Sequence, residues 1–177
     1  MQHILTTGTC RLILQEANII KNEYPKKIEE LNQTKQSSDE MIKLSSNLAA
    51  QAENEAAGSR GSKKEIKDLT QELRKMDFLR INIQREILYM KNQILTLEIL
   101  ENMMLRLEPY EYKILNLTYI QRKKQIDIQH QLFITKSTYY RNLNKAIEDL
   151  TELYNRNMDV STELFVPLGD DQLEFNL

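Results

Sequence analysis

Turn-forming residues are scarce in this chain: 177 residues carry four Gly and three Pro. Folds rich in β-strands consume both in their turns, so the scarcity excludes a many-stranded architecture and predicts long helices with few connections. Trp is absent and Phe occurs four times, so the core is aliphatic. Cys10 is the sole cysteine, which excludes an internal disulfide; with only His3 and His130 beside it, a cysteine- or histidine-rich metal site is excluded too. A lone cysteine suits the reducing cytoplasm of a bacterial cell, and reads as a small buried apolar residue. No run approaches the ~20 apolar residues of a membrane span. The N-terminal "MQHILTTGTCRLIL" has no basic segment ahead of its short apolar run, so no signal peptide is expected. Paired catalytic groups, a glycine-rich phosphate loop and a metal-ligand set are all missing, so neither an enzyme nor a cofactor is expected.

The net charge of −2 argues for no particular partner, but it hides an uneven distribution. From Lys113 to Ile147 seven basic residues (Lys113, Arg122, Lys123, Lys124, Lys136, Arg141, Lys145) stand against Asp127 alone, a net of +6. From Glu148 onward eight acids stand against Arg156, a net of −7. A basic block is followed by an acidic tail.

The expected organisation has four parts: an N-terminal helical segment (1–57), a long helix (58–104), a compact helical module (105–154) and a flexible acidic tail (155–177). Residues 11–24 carry a loose helical pattern that ends at Tyr24-Pro25, because proline disfavours the α region at the preceding residue. Pro25 then opens the next helix, where its missing N–H costs nothing. Up to Ala57 the apolar stripe is thin, and the polar "QTKQSSDE" predicts a break or partial disorder. "GSRGS" (58–62) is the clearest interruption, and Ser62 with Glu65 has the form of a capping box. Beyond it Ile66, Leu69, Leu73, Met76, Ile83, Ile87, Met90, Ile94, Leu97 and Met104 recur at three- and four-residue steps, with Arg80 and Glu101 filling the two gaps. Such a repeat predicts a helix–helix seam. Phe78, Leu79, Leu88, Leu95, Ile99 and Leu100 widen the face, so more than one partner is expected: the chain's own N-terminal helices, or a second copy through residues 62–104.

The module at 105–154 reads as helices joined by tight connections. Glu108-Pro109 opens the first, with Tyr112, Leu115 and Tyr119 in helical spacing. "QRKK" is a polar connector. Ile126, Ile128 and Leu132 mark a helix of about two turns, and "FIT" is a turn. Thr135 caps the last helix, whose apolar stripe is Tyr139, Leu143, Ala146, Ile147 and Leu150. A short helix, a turn and a longer helix with basic and hydroxyl groups at its start is the helix-turn-helix arrangement, in which the second helix reads bases with its first turns. Arg and Lys donate to guanine, Asn pairs with adenine, and Ser and Thr adapt to several edges. Basic residues on the preceding loop hold phosphates.

"LEPYEYKILNLTYI" followed by "QIDIQHQLFITKSTYYRNLNKAIEDL" resembles region four of bacterial sigma factors. Among phage proteins it is similar to late transcription activators of the RinA/ArpU type, which carry such a module after a helical N-terminal segment. The match covers residues 104–154 well and 20–100 loosely. The resemblance implies an all-α protein that binds promoter DNA and works with RNA polymerase or a sigma factor on late phage genes. On this basis Lys136, Ser137, Thr138, Tyr140, Arg141 and Asn144 are the candidate base contacts. Arg122, Lys123, Lys124 and Lys145 are the candidate phosphate contacts. Tyr139 is assigned to the core, and His130 to an exposed structural position. One residue departs from the family: Phe133 stands where the turn often carries glycine, and phenylalanine is costly if φ there is positive.

Three other readings compete. The lysines of the module could be an ordinary solvated surface. A small terminase subunit also joins a helix-turn-helix to oligomer-forming helices, and would bind a DNA-packaging site as a ring. An adaptor gripping a sigma factor or polymerase would bind DNA weakly and survive neutralisation of Lys136 and Arg141. The acidic tail, with Phe165, Val166, Leu168, Leu173 and Phe175 among its acids, reads as a flexible end, as a short motif that docks on a basic groove of a partner, or as a segment that competes with DNA for the basic face.

Overall fold

A computed structural model of the chain describes residues 4–55 and 62–163. Among the described residues every regular element is helical: α1 (Thr7–Gln15), α2 (Ala17–Asn22), α3 (Tyr24–Glu55), α4 (Ser62–Met104), α5 (Pro109–Leu115) followed by a π turn (Asn116–Ile120), α6 (Gln125–Leu132) and α7 (Lys136–Glu163). The all-α class expected from the scarcity of Gly and Pro holds. Residues 58–61 of the "GSRGS" break, the side chains of the Ser62/Glu65 cap and the apolar residues of the acidic tail lie outside what the structure describes. The chain divides into two compact units, Asn18–Leu95 and Met1–Ala17 with Thr96–Leu177.

The unit Asn18–Leu95 is built on α3 and the first part of α4. Pro25 sits in the first turn of α3, as its fixed φ favours. Ile28 of α3 and Ile83, Ile87 and Met90 of α4 form its buried cluster, flanked by Tyr24, Leu31 and Ile94. The expected break at "QTKQSSDE" does not occur, and α3 runs through it. The side chains explain the difference. Thr34, Ser37 and Ser38 hydroxyls return to the carbonyls of Glu30, Gln33 and Thr34 one turn back. Polar contacts also reach α4: Lys35 donates to Gln84 at 2.7 Å and Asp39 faces Arg80 at 3.6 Å. Polar side chains here hydrogen-bond within helices instead of melting them.

The second unit centres on α5, the π turn, α6 and α7, with α1 packed on α7 and on the π turn. Ile114, Leu115, Ile128, Ile147 and Leu150 are fully buried, as are Leu14 and Cys10 of α1 and Leu100 of α4. The buried stripe of α7 is the expected one, and Tyr139 belongs to it. Its hydroxyl lies 3.2 Å from that of Thr118 in the π turn. Cys10 is buried as expected, and burial pushes its thiol pKa up. Ile126, expected to mark the apolar side of α6, is instead 60% exposed, and only Ile128 anchors that helix fully.

Two non-glycine residues adopt the left-handed conformation, Arg122 (φ 51°) and Phe133 (φ 54°). Phe133 ends α6 with its N–H and that of Ile134 returning to the carbonyls of His130 and Gln129. This is a C-terminal cap that glycine fills at least steric cost. Its side chain is 95% exposed and contributes no packing. Phe133→Gly is therefore expected to stabilise the protein, by about 0.5–1 kcal/mol after the extra entropy of an unfolded glycine is counted. Thermal unfolding measures it, and a lowered midpoint would refute the argument.

Candidate nucleic-acid interface

The turn after α6 ends at Thr135, which caps α7. Its Oγ1 accepts from the N–H of Thr138 at 3.2 Å and lies 2.9 Å from the Thr138 hydroxyl. At the start of α7 Tyr139 packs inward, while Lys136, Ser137, Tyr140 and Arg141 are all exposed. Ser137, Arg141 and Asn144 fall at four- and three-residue steps and therefore share one face. Lys136 and Arg141 have no ion-pair partner among the described residues. Tyr140 stacks edge-on against Tyr139 with ring centroids 5.2 Å apart, and its hydroxyl donates to Gln125 of α6 at 3.0 Å. The two adjacent tyrosines thus do different work, one filling the core and one bridging the two helices of the turn motif.

The remaining candidates are more committed. Asn144 accepts through Oδ1 from the guanidinium of Arg11 in α1, at 2.8 Å. Arg122 donates to the carbonyl of Gln15, the last residue of α1, at 3.0 Å. Lys123 reaches Gln131 of α6 at 2.8 Å. Lys124 precedes α6 as its exposed N-cap residue. Lys145 bridges the carboxylates of Glu111 and Asp149, at 3.1 Å from the latter. The hydrogen bond to Glu111, then that to Asp149, raises its pKa. It lies on the flank of α7 that meets α5, where Asn142 also donates to the Tyr110 hydroxyl at 3.1 Å. Lys145 is therefore already neutralised by neighbours, unlike Lys136 and Arg141. Glu148 is exposed one turn beyond Asn144 and marks where the face turns acidic.

Arg11 is the residue that a reading of the sequence misses. It lies 133 positions from Asn144 and outside the basic block, so nothing in local spacing or composition connects them. α1 holds two of the ten candidate contacts: Asn144 through Arg11 and Arg122 through the Gln15 carbonyl.

The elements gather donor groups of the kind that meet anions. A capped helix start offers amide donors, uncommitted cations stand on its first two turns, and further basic residues flank the connector. Among the described residues there is no group of three His, Cys, Asp or Glu side chains that could hold a metal ion, and no helix is long and apolar enough to cross a membrane. Neither the curated proteins nor the solved structures contain a match to this sequence. A family model does match, over residues 33–151, which takes in most of α3, all of α4 to α6 and the first half of α7. The chain belongs to DUF1492, a family described as proteins of unknown function.

Proposed function

We propose that this protein is a sequence-specific double-stranded DNA-binding regulator of transcription, with α7 as its reading helix. The observation that carries the proposal is the exposed face of Ser137 and Arg141, joined by Lys136, on a helix whose entry is fixed by the Thr135 cap and the left-handed Phe133 turn. Arg141 has the reach and the forked donors to pair with a guanine edge, and Ser137 adapts to its neighbour. In this reading Lys124 and, from the connector, Arg122 and Lys123 meet phosphates, Lys145 is a phosphate contact already shared with Glu111 and Asp149, and Asn144 is a base contact held by Arg11. The resemblance to sigma region four and to RinA/ArpU-type activators favours a promoter as the target and RNA polymerase or a sigma factor as the partner, on late phage genes. The reading requires no catalytic group.

Selection from a random DNA pool with the purified chain, followed by footprinting of the enriched sequence, tests it. A single protected site is expected. Enrichment of nothing above the unselected pool would reject the reading.

A smaller effect is expected at Arg11. Removing its side chain (Arg11→Ala) frees Asn144 and loosens the α1 side of the face, and should weaken binding to the selected site by roughly threefold to tenfold. Fluorescence anisotropy at fixed salt is the measurement. Tighter binding by the variant would mean that Arg11 competes with DNA for Asn144 instead of positioning it.

A further inference from the structure

The heptad pattern of α4 points to a second copy of the chain, but through a different face from the one its strongest repeat suggests. Ile83, Ile87, Met90 and Ile94 of that repeat are covered by α3 within the same chain. A second stripe is left uncovered. Ile81, Leu88 and Leu95 stand seven residues apart and are 45%, 56% and 56% exposed; Phe78, three residues before Ile81, is 66% exposed. Arg85 and Asn92 occupy the alternate places of this stripe.

We infer that residues 78–95 form the interface of an antiparallel homodimer. A stripe with a strict seven-residue repeat matches another helix and no other shape, because each apolar residue must enter a hole between four side chains of its partner. The four apolar side chains leave roughly 400 Å² exposed per chain, in the range of the largest patch on a typical monomer, which is often functional. With the stems of Arg85 and Lys91 added, two copies would bury on the order of 1,000 Å², enough for a specific contact. A lipid surface fits poorly, since Arg85 and Asn92 would lie in the middle of the apolar face.

Charge chooses the orientation. In a parallel pair Arg85 would meet Arg85 inside the seam, a like-charge contact shielded from water. In the antiparallel pair Phe78 lies opposite Leu95 of the second copy, and Arg85 opposite its Leu88. A surface cavity of about 390 Å³ lined by Lys35, Arg80, Ile81, Gln84 and Arg85 then faces Leu88 and Tyr89 of the second copy and is the hole they fill. Such a contact is isologous and closes at two copies. The inference stands independently of the DNA-binding reading.

Sedimentation equilibrium of the full chain, without DNA, tests it. The wild type should be a dimer. Leu88→Glu combined with Leu95→Glu should dissociate it, weakening association by roughly 100-fold or more. Circular dichroism should show unchanged helix content, because both positions are exposed in the single chain. Arg85→Leu should tighten the dimer by about tenfold, and this arm holds even if the double glutamate variant folds poorly. Phe78→Cys with Leu95→Cys should form a disulfide-linked dimer on oxidation, whereas Phe78→Cys alone should not, its two copies lying about 25 Å apart along the antiparallel seam. Cys10 is buried and stays silent. A monomeric wild type, a higher oligomer, a dimer indifferent to both glutamates and to Arg85→Leu, or efficient crosslinking of Phe78→Cys alone would overturn the proposal.

Discussion

Replacing Arg141 with alanine is expected to weaken binding to the selected DNA site by roughly 10- to 100-fold, with little change in stability. The magnitude is that of one bidentate arginine–guanine contact, about 1–3 kcal/mol. The structural half of the expectation follows from the side chain's surroundings: Arg141 is exposed and is partnered by no acid among the described residues, so its removal leaves no buried group unpaired. The loss should be specific. Binding to unrelated duplex, which rests on phosphates, should fall far less, and the slope of affinity against salt should change by about one contact at most. Lys145→Ala supplies the contrast. Its ammonium is already shared between Glu111 and Asp149, so the loss of DNA affinity should be much smaller than for Arg141, although both residues belong to one basic block. Anisotropy titrations on the selected and a scrambled duplex measure both. An Arg141→Ala protein that binds the selected site as well as wild type would remove α7 from the role of reading helix.

The contrast between Arg141 and Lys145 also marks how far the sequence could be read. Helical periodicity identified α7, its buried stripe and its Thr135 cap, because those depend on residues three and four apart and on one local hydrogen bond. The division of labour between Tyr139 and Tyr140 was legible for the same reason. The positive φ at Phe133 was legible as a conflict between a turn position and a bulky residue. What spacing could not deliver was anything set by distant chain. The pairing of Arg11 with Asn144 spans 133 positions, and the seat of Arg122 on the carbonyl of Gln15 spans 107. Composition misled at "QTKQSSDE", where serine and threonine hydroxyls return to the helix's own carbonyls. The heptad signal in α4 was real, yet a repeat alone does not say which of two stripes meets the chain's own α3.

The largest effect on stability is expected at α1, which lies outside the stretch 105–154 read from the sequence as the helix-turn-helix domain. Leu14 and Cys10 are fully buried and Ile13 nearly so, in a helix packed on α7 and on the π turn. Leu14→Ala removes buried methyl groups from a close-packed interior and leaves a cavity, and should cost about 2–5 kcal/mol. That is a large share of the total stability of a small domain, about 5–15 kcal/mol. Chemical denaturation followed by circular dichroism gives the number. A fragment of residues 105–154, which contains the whole helix-turn-helix but lacks α1 and the buried end of α4, should for the same reason lose cooperative unfolding. The loss should carry through to DNA binding, because without α1 the connector at Arg122 and the side chain of Asn144 lose their partners together. If Leu14→Ala cost less than about 1 kcal/mol, or if the fragment unfolded as cooperatively as the full chain, α1 would be an accessory on a self-sufficient module. A full-sized cost would instead make α1, some hundred positions away in the sequence, part of the folded core on which α5 to α7 depend.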